Sequence, residues 1–369
     1  MAREDAERAL NLETVPPVHA LRGVRSIALG FGVTCAVMDD RTVRCWGRND
    51  QGQRGLPNGE PATTPVPVPG LTDVSAVDVS HGFGCALRRD GSVLCWGEGL
   101  GSGSKRFAAV PNLTDVRQIA VSTYRMLALD KGAALWSFRP VSSNAANAPI
   151  RNASLADAVQ VDDNWDHTCA LRVDGTVWCW GTVGHVRSGP DQFTTRSSDV
   201  PVRVEGLKNV VEVALGTHHA CARRRDGGVA CWGIGVPEAL GQTDGAALNK
   251  ATDVPGVENA VQVASGGGSF SCALLRDKTV VCWGRNTNGE LGDGTQRSIR
   301  GSARVAGLSD VRAVACGLEH ACALNEDGTV RCWGSNRLGE LGNGVTSPAS
   351  LVPVYVVTER AGAAPSVAR

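Results

Sequence analysis

The sequence predicts an all-β fold in which one short unit is repeated around a closed ring. The clearest copy spans residues 311–344, where Gly317 and Asp327-Gly328 separate three short runs of largely apolar residues. Runs of this length, bounded by glycine and Asp-Gly, are typical of antiparallel strands joined by tight turns. The unit recurs seven times, so we expect the 369 residues to form one ring rather than two or three ordinary domains.

Six of the seven copies carry two cysteines ten residues apart, and Trp-Gly follows the second cysteine at once. The pairs are Cys35 and Cys45, Cys85 and Cys95, Cys169 and Cys179, Cys221 and Cys231, Cys272 and Cys282, and Cys322 and Cys332. The third copy is degraded: Leu127 and Leu135 replace the cysteines around the turn Asp130-Lys131-Gly132, which makes its hairpin two residues shorter. Because it lacks the cysteine pair and the Trp-Gly, we expect this copy to be the locally weakest unit.

The clean copies resemble the repeat of the regulator of chromosome condensation family. Residues 320–344 read His-x-x-Ala-Leu, Asp-Gly and then Trp-Gly-x-Asn-x-x-Gly-x-Leu-Gly-x-Gly, and residues 282–295 give a second near-complete match. That family folds as a seven-bladed β-propeller, so the resemblance implies an all-β propeller of four-stranded antiparallel blades over residues 14–357. We expect residues 1–13 to be a frayed N-terminal segment and residues 358–369 to be a disordered tail.

The cysteine pairs allow three interpretations, of which we favour cross-strand disulfides. If Glu326-Asp327-Gly328 forms a three-residue turn, Cys322 faces Cys332 as a non-hydrogen-bonded pair, with Cα atoms about 4.5 Å apart. That distance lies at the short end of the disulfide range. The cysteines could instead be reduced and act as small buried apolar side chains. Zinc ligation is less favoured, because two thiols per unit without a third ligand do not close a zinc site.

Composition and charge bear on the compartment and the class of partner. Lys+Arg and Asp+Glu both number 37, so the excess of positive charge typical of nucleic-acid binding is absent. No apolar run is long enough to span a membrane. Disulfides would require an oxidising compartment, although Met1–Leu12 has no apolar signal core. We therefore expect an extracytoplasmic or secreted chain whose signal segment is absent from this sequence, with a cytoplasmic location as the alternative.

A search for catalytic motifs predicts no enzyme, no cofactor and no metal site. The run Gly266-Gly267-Gly268 lacks the Lys and Ser/Thr of a phosphate-binding loop, and neither His-Glu-x-x-His nor Gly-x-Ser-x-Gly occurs. Histidines recur two residues before the hairpin cysteine, at His167, His219 and His320. Other copies place valine or phenylalanine there, so we interpret these histidines as structural. Cys316, which belongs to no pair, is predicted to be a buried free thiol.

The turn between the first and second strands of each unit is the strongest candidate for a binding site. In a propeller the first strand lies nearest the axis, so seven such turns would surround one mouth of the central channel. The candidate partner-binding residues in these turns are Phe31, His81, Tyr124, Trp165, Asp166, His218 and Glu319. Exposed aromatic residues at a rim are common anchors of protein interfaces. The alternative is that they simply plug the channel.

Three functions from different classes remain open at this point. The first is a monomeric, non-enzymatic module that binds a protein or a peptide, as an inhibitor or an adaptor. The family resemblance supports this mode, since it includes a secreted bacterial propeller that inhibits β-lactamases. The second is guanine-nucleotide exchange on a small GTPase, as in the founding member, which would need an inserted wedge that the clean units lack. The third is a purely structural propeller.

Overall fold

The computed structural model describes residues 16–57, 59–98, 100, 107–123, 125–139, 149–152, 155, 157–165, 167–187, 193–233 and 250–358. These residues form 28 strands in seven four-stranded antiparallel sheets, and they contain no helix, hence none that could span a membrane. Each sheet uses four strands that are consecutive in sequence, so each sheet is one blade. The all-β fold with seven blades is therefore confirmed.

The first three blades precede residue 153. Blade 1 consists of β1 (Val24–Leu29), β2 (Val33–Met38), β3 (Val43–Gly47) and β4 (Ala62–Pro67). Blade 2 consists of β5 (Val74–Val79), β6 (Phe83–Arg88), β7 (Val93–Gly97) and β8 (Ala108–Ala109). Blade 3 consists of β9 (Val116–Val121), β10 (Met126–Asp130), β11 (Leu135–Phe138) and β12 (Ile150–Asn152).

The remaining four blades follow the same order. Blade 4 consists of β13 (Ala158–Asn164), β14 (His167–Arg172), β15 (Val177–Arg187) and β16 (Phe193–Arg203). Blade 5 consists of β17 (Val210–Leu215), β18 (His219–Arg224), β19 (Val229–Gly233) and β20 (Thr252–Asp253). Blade 6 consists of β21 (Ala260–Gly266), β22 (Phe270–Leu275), β23 (Val280–Gly284) and β24 (Ile299–Arg304). Blade 7 consists of β25 (Val311–Cys316), β26 (His320–Asn325), β27 (Val330–Asn336) and β28 (Ser347–Tyr355).

The central hairpins confirm the disulfide interpretation of the cysteine pairs. Cys322 lies directly opposite Cys332, and the same pairing recurs in five other blades, with Cα–Cα distances of 4.0–4.1 Å. Gly328 takes the left-handed turn position with φ 77°, and its N–H donates to the Asn325 carbonyl over 3.1 Å. Cys316 is a free thiol as predicted, although its side chain is half-buried rather than fully buried.

Blade 3 corrects the register that we predicted for the degraded copy. Leu127 faces Ser137, whereas Leu135 faces Leu129, so the two leucines do not replace a cysteine pair. The hairpin has the same length as the others, because the turn extends beyond Asp130-Lys131-Gly132 to Ala133, which takes the left-handed position with φ 61°. The misleading signal was Leu135-Trp136, which looks like Cys-Trp but stands two residues too early.

Seven apolar clusters lie between neighbouring blades and close the ring. Each cluster joins side chains of two consecutive blades, such as the pair of blades 4 and 5. The last cluster joins blade 7 to blade 1, since Val24 and Trp46 pack with Leu324 and Val330 there. The core is therefore distributed over seven interfaces, and the first and last blades are held together by the same kind of packing as the rest.

The Trp-Gly tail of a clean unit reaches across to the next blade. Trp46 donates its indole N–H to the Glu340 carbonyl in the tail of blade 7, over 2.9 Å. Trp96 and Trp333 make the same bond to the tails of blades 1 and 6, over 2.8 Å each. Gly342 lies against this indole with φ 67°, and a Cβ there would lie 2.6 Å from Trp46 Nε1. Close packing on the neighbouring tryptophan thus explains the last Gly of Gly-x-Leu-Gly.

The C-terminal Pro-Val segment completes blade 7. Strand β28 pairs with β27 as the outermost strand, consistent with the edge position that proline requires. The N-terminal segment crosses the seam instead: Leu21 N–H donates to the Val356 carbonyl and Thr358 N–H donates to the His19 carbonyl, over 2.8 Å each. The sequence offers a similar Pro-Val segment at residues 14–18 as a competitor for this outermost position; residues 14 and 15 lie outside the described residues, and residues 16–18 form no strand.

Candidate functional site at the axial mouth

A cavity of about 360 Å³ lies on the axis of the ring. Its wall is made by the first strand of every blade, as expected for the strand nearest the axis. The connections between the first and second strands, here called the rim turns, line one end of this cavity. Phe31 and Trp165 are among the lining residues, so two of the predicted aromatic residues share one mouth.

The other predicted site residues fall into two groups. His81 packs on Phe31, His218 is exposed beside the lining residue Thr217, and Glu319 follows the lining residue Leu318. Tyr124 and Asp166 lie outside the described residues. The described members therefore belong to the rim turns, as repeat register predicts, and their role in binding remains a prediction.

A cluster of charged and aromatic side chains links the rim turns of blades 1 and 2. The Arg48 guanidinium donates from Nε and Nη2 to the two carboxylate oxygens of Asp50, over 2.6 Å each. Its Nη1 donates to His81 Nε2 over 3.2 Å, and its central carbon lies 5.7 Å from the centroid of the Phe31 ring. The Phe31 and His81 rings meet edge to face at 4.8 Å. The hydrogen bonds from Arg48 lower the pKa of Asp50 to about 2.

Trp165 is held at the mouth by the end of β13. Its φ of 43° lies in the left-handed region, and 39% of its surface is exposed. The preceding Asn164 donates from its side-chain amide to the Leu215 carbonyl of blade 5, over 3.2 Å. Asp163 is buried and accepts from both the Arg125 guanidinium and the Thr168 hydroxyl. These contacts hold the backbone at the end of β13 and so position the Trp165 indole at the mouth.

Polar side chains in the inner strands form contacts between blades that our sequence reasoning missed. Gln118 donates from Nε2 to the Val161 carbonyl over 2.7 Å and accepts from the Val161 N–H over 3.2 Å. Gln160 and Gln262 make the same two bonds to the next blade. All three glutamines stand at the third position of the first strand. A polar residue repeated at one register of an otherwise apolar strand was the signal that could have found them.

Two aspartates bridge blades in the same way and face the cavity. Asp78 accepts the Val121 N–H of blade 3 over 2.7 Å, and Asp162 accepts the Leu215 N–H of blade 5 over 2.8 Å. The seven inner strands shield both carboxyl groups from bulk water, and this desolvation raises the pKa of each to about 7. The cavity wall therefore changes its charge near neutral pH.

The described residues offer no cluster of three or more His, Cys, Asp or Glu side chains that could hold a metal ion. The histidines that precede the hairpin cysteines have structural partners instead. His219 Nε2 lies 2.8 Å from the Ser271 hydroxyl of blade 6, and His320 Nε2 lies 2.8 Å from the Thr34 hydroxyl of blade 1. Burial lowers the pKa of both imidazoles to about 3. These buried, neutral rings link neighbouring blades.

Comparison with known families settles which family the repeats represent. Two models of the regulator of chromosome condensation (RCC1) repeat match the chain, one at residues 24–53, 159–182, 260–290 and 311–340 and the other at residues 42–87, 174–223 and 279–324. Together the matches cover more than half of the 369 residues. The chain belongs to the RCC1 repeat family. The second set of matches runs from the third strand of one blade into the second strand of the next, so the RCC1 sequence repeat is offset from the blade.

Individual relatives match different shares of the chain, all at low sequence identity. Human E3 ubiquitin-protein ligase HERC2 is 32% identical over 42% of the chain, and the Arabidopsis thaliana ultraviolet-B receptor UVR8 is 26% identical over 77%. The aligned regions span 3% and 58% of those proteins. Prp20p from Saccharomyces cerevisiae superimposes with a TM-score of 0.70 at 18% identity, covering 94% of this chain and 90% of that one. This likeness shows the fold.

Proposed function

We propose that this RCC1-repeat chain is a non-enzymatic propeller that binds a protein or a peptide at its axial mouth. Trp165 carries the proposal. A bulky aromatic residue rarely adopts the left-handed region, which costs on the order of 1–3 kcal/mol. The strained backbone presents an indole that is 39% exposed at the rim of the cavity. A bound partner would cover that apolar area.

The charges around the mouth support a protein partner. Arg48 pairs with Asp50, and Arg285 lies 3.9 Å from Glu319 in the rim turn of blade 7. Opposite charges are therefore interspersed with Phe31 and Trp165, and the net charge of the chain is zero. A mixed surface of this kind, with aromatic anchors, is typical of protein interfaces. Nucleic acid would favour a basic surface.

The relatives support a function in binding, and the disulfides indicate the compartment. Prp20p is described together with its binding properties to Gsp1p and histones, and UVR8 is named as a receptor. Both descriptions fit a propeller that acts by binding. We place the chain, as a monomer, in an oxidising compartment, because six hairpin disulfides persist where thiols are not kept reduced.

Replacing Trp165 with alanine tests the binding face directly. We expect Trp165→Ala to weaken capture of the partner by about 2 kcal/mol, or roughly 30-fold, because truncating an aromatic anchor removes its buried contact area. The melting temperature should stay close to that of the wild type. The measurement is affinity capture from an extract of the source organism, followed by titration of the captured protein against both forms.

Trp178→Ala is the matched control. Trp178 lies in the same blade but towards the Asp-Gly turn, where it packs against the Arg172 guanidinium at 5.6 Å. This variant should keep full affinity. Equal binding by Trp165→Ala and the wild type would remove the axial mouth as the binding face. A large loss of thermal stability in Trp165→Ala, with unchanged affinity of the fraction that still folds, would make Trp165 a core residue.

A further inference from the structure

The contact between Arg48 and His81 fixes the proton on the imidazole. Arg48 Nη1 lies 3.2 Å from His81 Nε2, and a guanidinium has only donors to offer. His81 Nε2 must therefore accept with its lone pair, which leaves the ring proton on Nδ1. We infer that His81 is a proton-sensing residue of the mouth: Arg48 holds the neutral ring beside Phe31, and protonation of Nε2 releases both rings from this arrangement.

The geometry makes the two states incompatible. A protonated imidazole carries N–H groups on both nitrogens, so Arg48 and His81 would face each other as two donors and two positive charges. Arg48 is tied to Asp50 by two bonds of 2.6 Å, and its side chain is only 19% exposed. His81 is therefore the partner that moves. Its ring forms the edge contact with Phe31 at 4.8 Å, so Phe31 loses that packing at the same time.

The charged groups around His81 determine the pH at which its imidazole is protonated. Arg48 and Asp50 face it from the tail of blade 1, and Glu98 faces it from the end of β7. Desolvation by burial and the charge of Arg48 lower the pKa of His81 below its usual value of 6.5, against an opposing effect of Asp50 and Glu98. The rearrangement is therefore expected below pH 6.5. Gln53 donates from Nε2 to the His81 carbonyl over 3.2 Å, which holds the backbone while the side chain responds.

The consequence for binding rests on the proposed function, whereas the switch itself is measured without a partner. If the mouth binds a protein, acidification alters the aromatic surface offered by blades 1 and 2 and leaves Trp165 of blade 4 in place. The contribution of His81 to a pH-dependent affinity is then the difference between the wild type and His81→Gln, because Asp78 and Asp162 on the cavity wall also change their charge with pH. A mouth that binds nothing would still show the titration described next, so failure of one proposal is distinct from failure of the other.

The tautomer is tested by nitrogen NMR on the intact, ¹⁵N-labelled chain. The chain has seven histidines, and the His81 signals are identified by their absence from His81→Gln. At pH 7.5 we expect Nε2 to show the shift of an unprotonated ring nitrogen and Nδ1 that of a protonated one. The titration midpoint should lie below 6.5 and should rise in Arg48→Met. If Nε2 of the wild type is protonated at pH 7.5, the inference is wrong. This measurement does not depend on whether Arg48→Met folds.

The coupling to Phe31 is tested with fluorinated phenylalanine. The chain has only six phenylalanines, so the ¹⁹F spectrum is simple, and Phe31→Leu identifies the Phe31 signal. This signal should shift with the same midpoint as His81. In His81→Gln it should stay constant, because glutamine can still accept a hydrogen bond from Arg48 but does not titrate. A pH-dependent Phe31 shift that persists unchanged in His81→Gln contradicts the coupling.

Discussion

Blade 3 and blade 7 share one topology but stabilise it by different means. Blade 7 joins its central strands through Cys322 and Cys332, and it buries Trp333 fully against the tail of blade 6. Blade 3 places Leu127 opposite a serine and buries Phe138 where the other blades have tryptophan. The hairpin register is nevertheless the same in both. Strand pairing and turn geometry therefore determine the shape of a blade, while the disulfide acts mainly on the unfolded chain.

The two blades also differ in how they contact the next blade. At the seam, the hydroxyl proton of Thr34 goes to the Glu340 carbonyl over 3.0 Å, so His320 Nε2 must donate to Thr34. At the equivalent position of blade 3, Arg125 donates to the Thr168 hydroxyl and to Asp163. A buried neutral histidine and a permanently charged arginine thus fill the same place in the repeat, and only the histidine responds to pH.

The largest expected effect is the loss of the blade 7 tryptophan. Trp333→Ala should lower the free energy of unfolding by about 3–5 kcal/mol, through lost burial and the cavity that remains. Phe138→Ala should cost less within this range, because Trp333 also donates a hydrogen bond to Glu290. Urea denaturation with the disulfides intact measures both. Trp333→Phe, which copies blade 3, should be milder than either; a larger cost for Phe138→Ala than for Trp333→Ala would contradict the comparison.

Acidification should weaken the seam more than the contact from blade 3 to blade 4. His320 binds its proton near pH 6.5 when unfolded but only near pH 3 when folded, so the unfolded state takes up more protons as pH falls below 6.5. Its contribution to stability is therefore present above pH 6.5 and is lost between pH 6.5 and 3. The loss should reach about 2–3 kcal/mol near pH 4.5, at about 1.4 kcal/mol per pH unit.

The difference between wild type and His320→Gln isolates this effect. Asp78 and Asp162 act in the opposite direction, since a pKa raised to about 7 stabilises the fold as pH falls from 7 towards 4. They contribute equally to both proteins and cancel in the difference. The stability of the wild type relative to His320→Gln, measured by urea unfolding, should therefore fall between pH 7.5 and 4.5. Parallel pH curves would show that the His320 contact does not titrate in this range.

The smallest expected effect is the transfer of a disulfide to blade 3. Leu127→Cys with Ser137→Cys should form a seventh hairpin disulfide, because the two positions face each other as Cys322 and Cys332 do. The oxidised pair should gain about 2 kcal/mol over the Leu127→Ala, Ser137→Ala control, since the closed loop is short. In the wild type, residues 116–138 should exchange amide hydrogens faster than residues 311–336, and the new disulfide should narrow that gap.

Much of this fold could be predicted because each repeat contains the residues that determine its strands, turn and register. Cys322, Asp327-Gly328 and Cys332 fix strand, turn and register by local rules, and the rim turns then follow from equivalence. The register of the blade 3 hairpin was not predicted correctly, because its turn uses Ala133 in the left-handed conformation, which the sequence does not indicate. The register prediction there relied on Asp-Lys-Gly and was wrong.

The contacts across blades were harder to predict, because they join residues about fifty positions apart through side-chain orientation. Gln160 and Asp162 read as polar interruptions of a strand until Val213 and Leu215 are placed beside them. The cluster around His81 has the same character, since Arg48 belongs to the preceding blade. The sequence therefore predicts which residues form the rim turns, but it does not predict which side chains of the neighbouring blades they contact.

The confinement of each disulfide to one blade has a mechanical consequence. All six bonds close hairpins, and the seam is held by packing and by backbone hydrogen bonds such as that from Leu21 to Val356. A pulling force applied at the two ends therefore loads the seam before any covalent crosslink. Once the blades separate, each intact hairpin withholds roughly 30 Å of contour length from extension. The oxidation state of the chain could thus be read as a length in a force–extension trace, with full reduction adding roughly 180 Å.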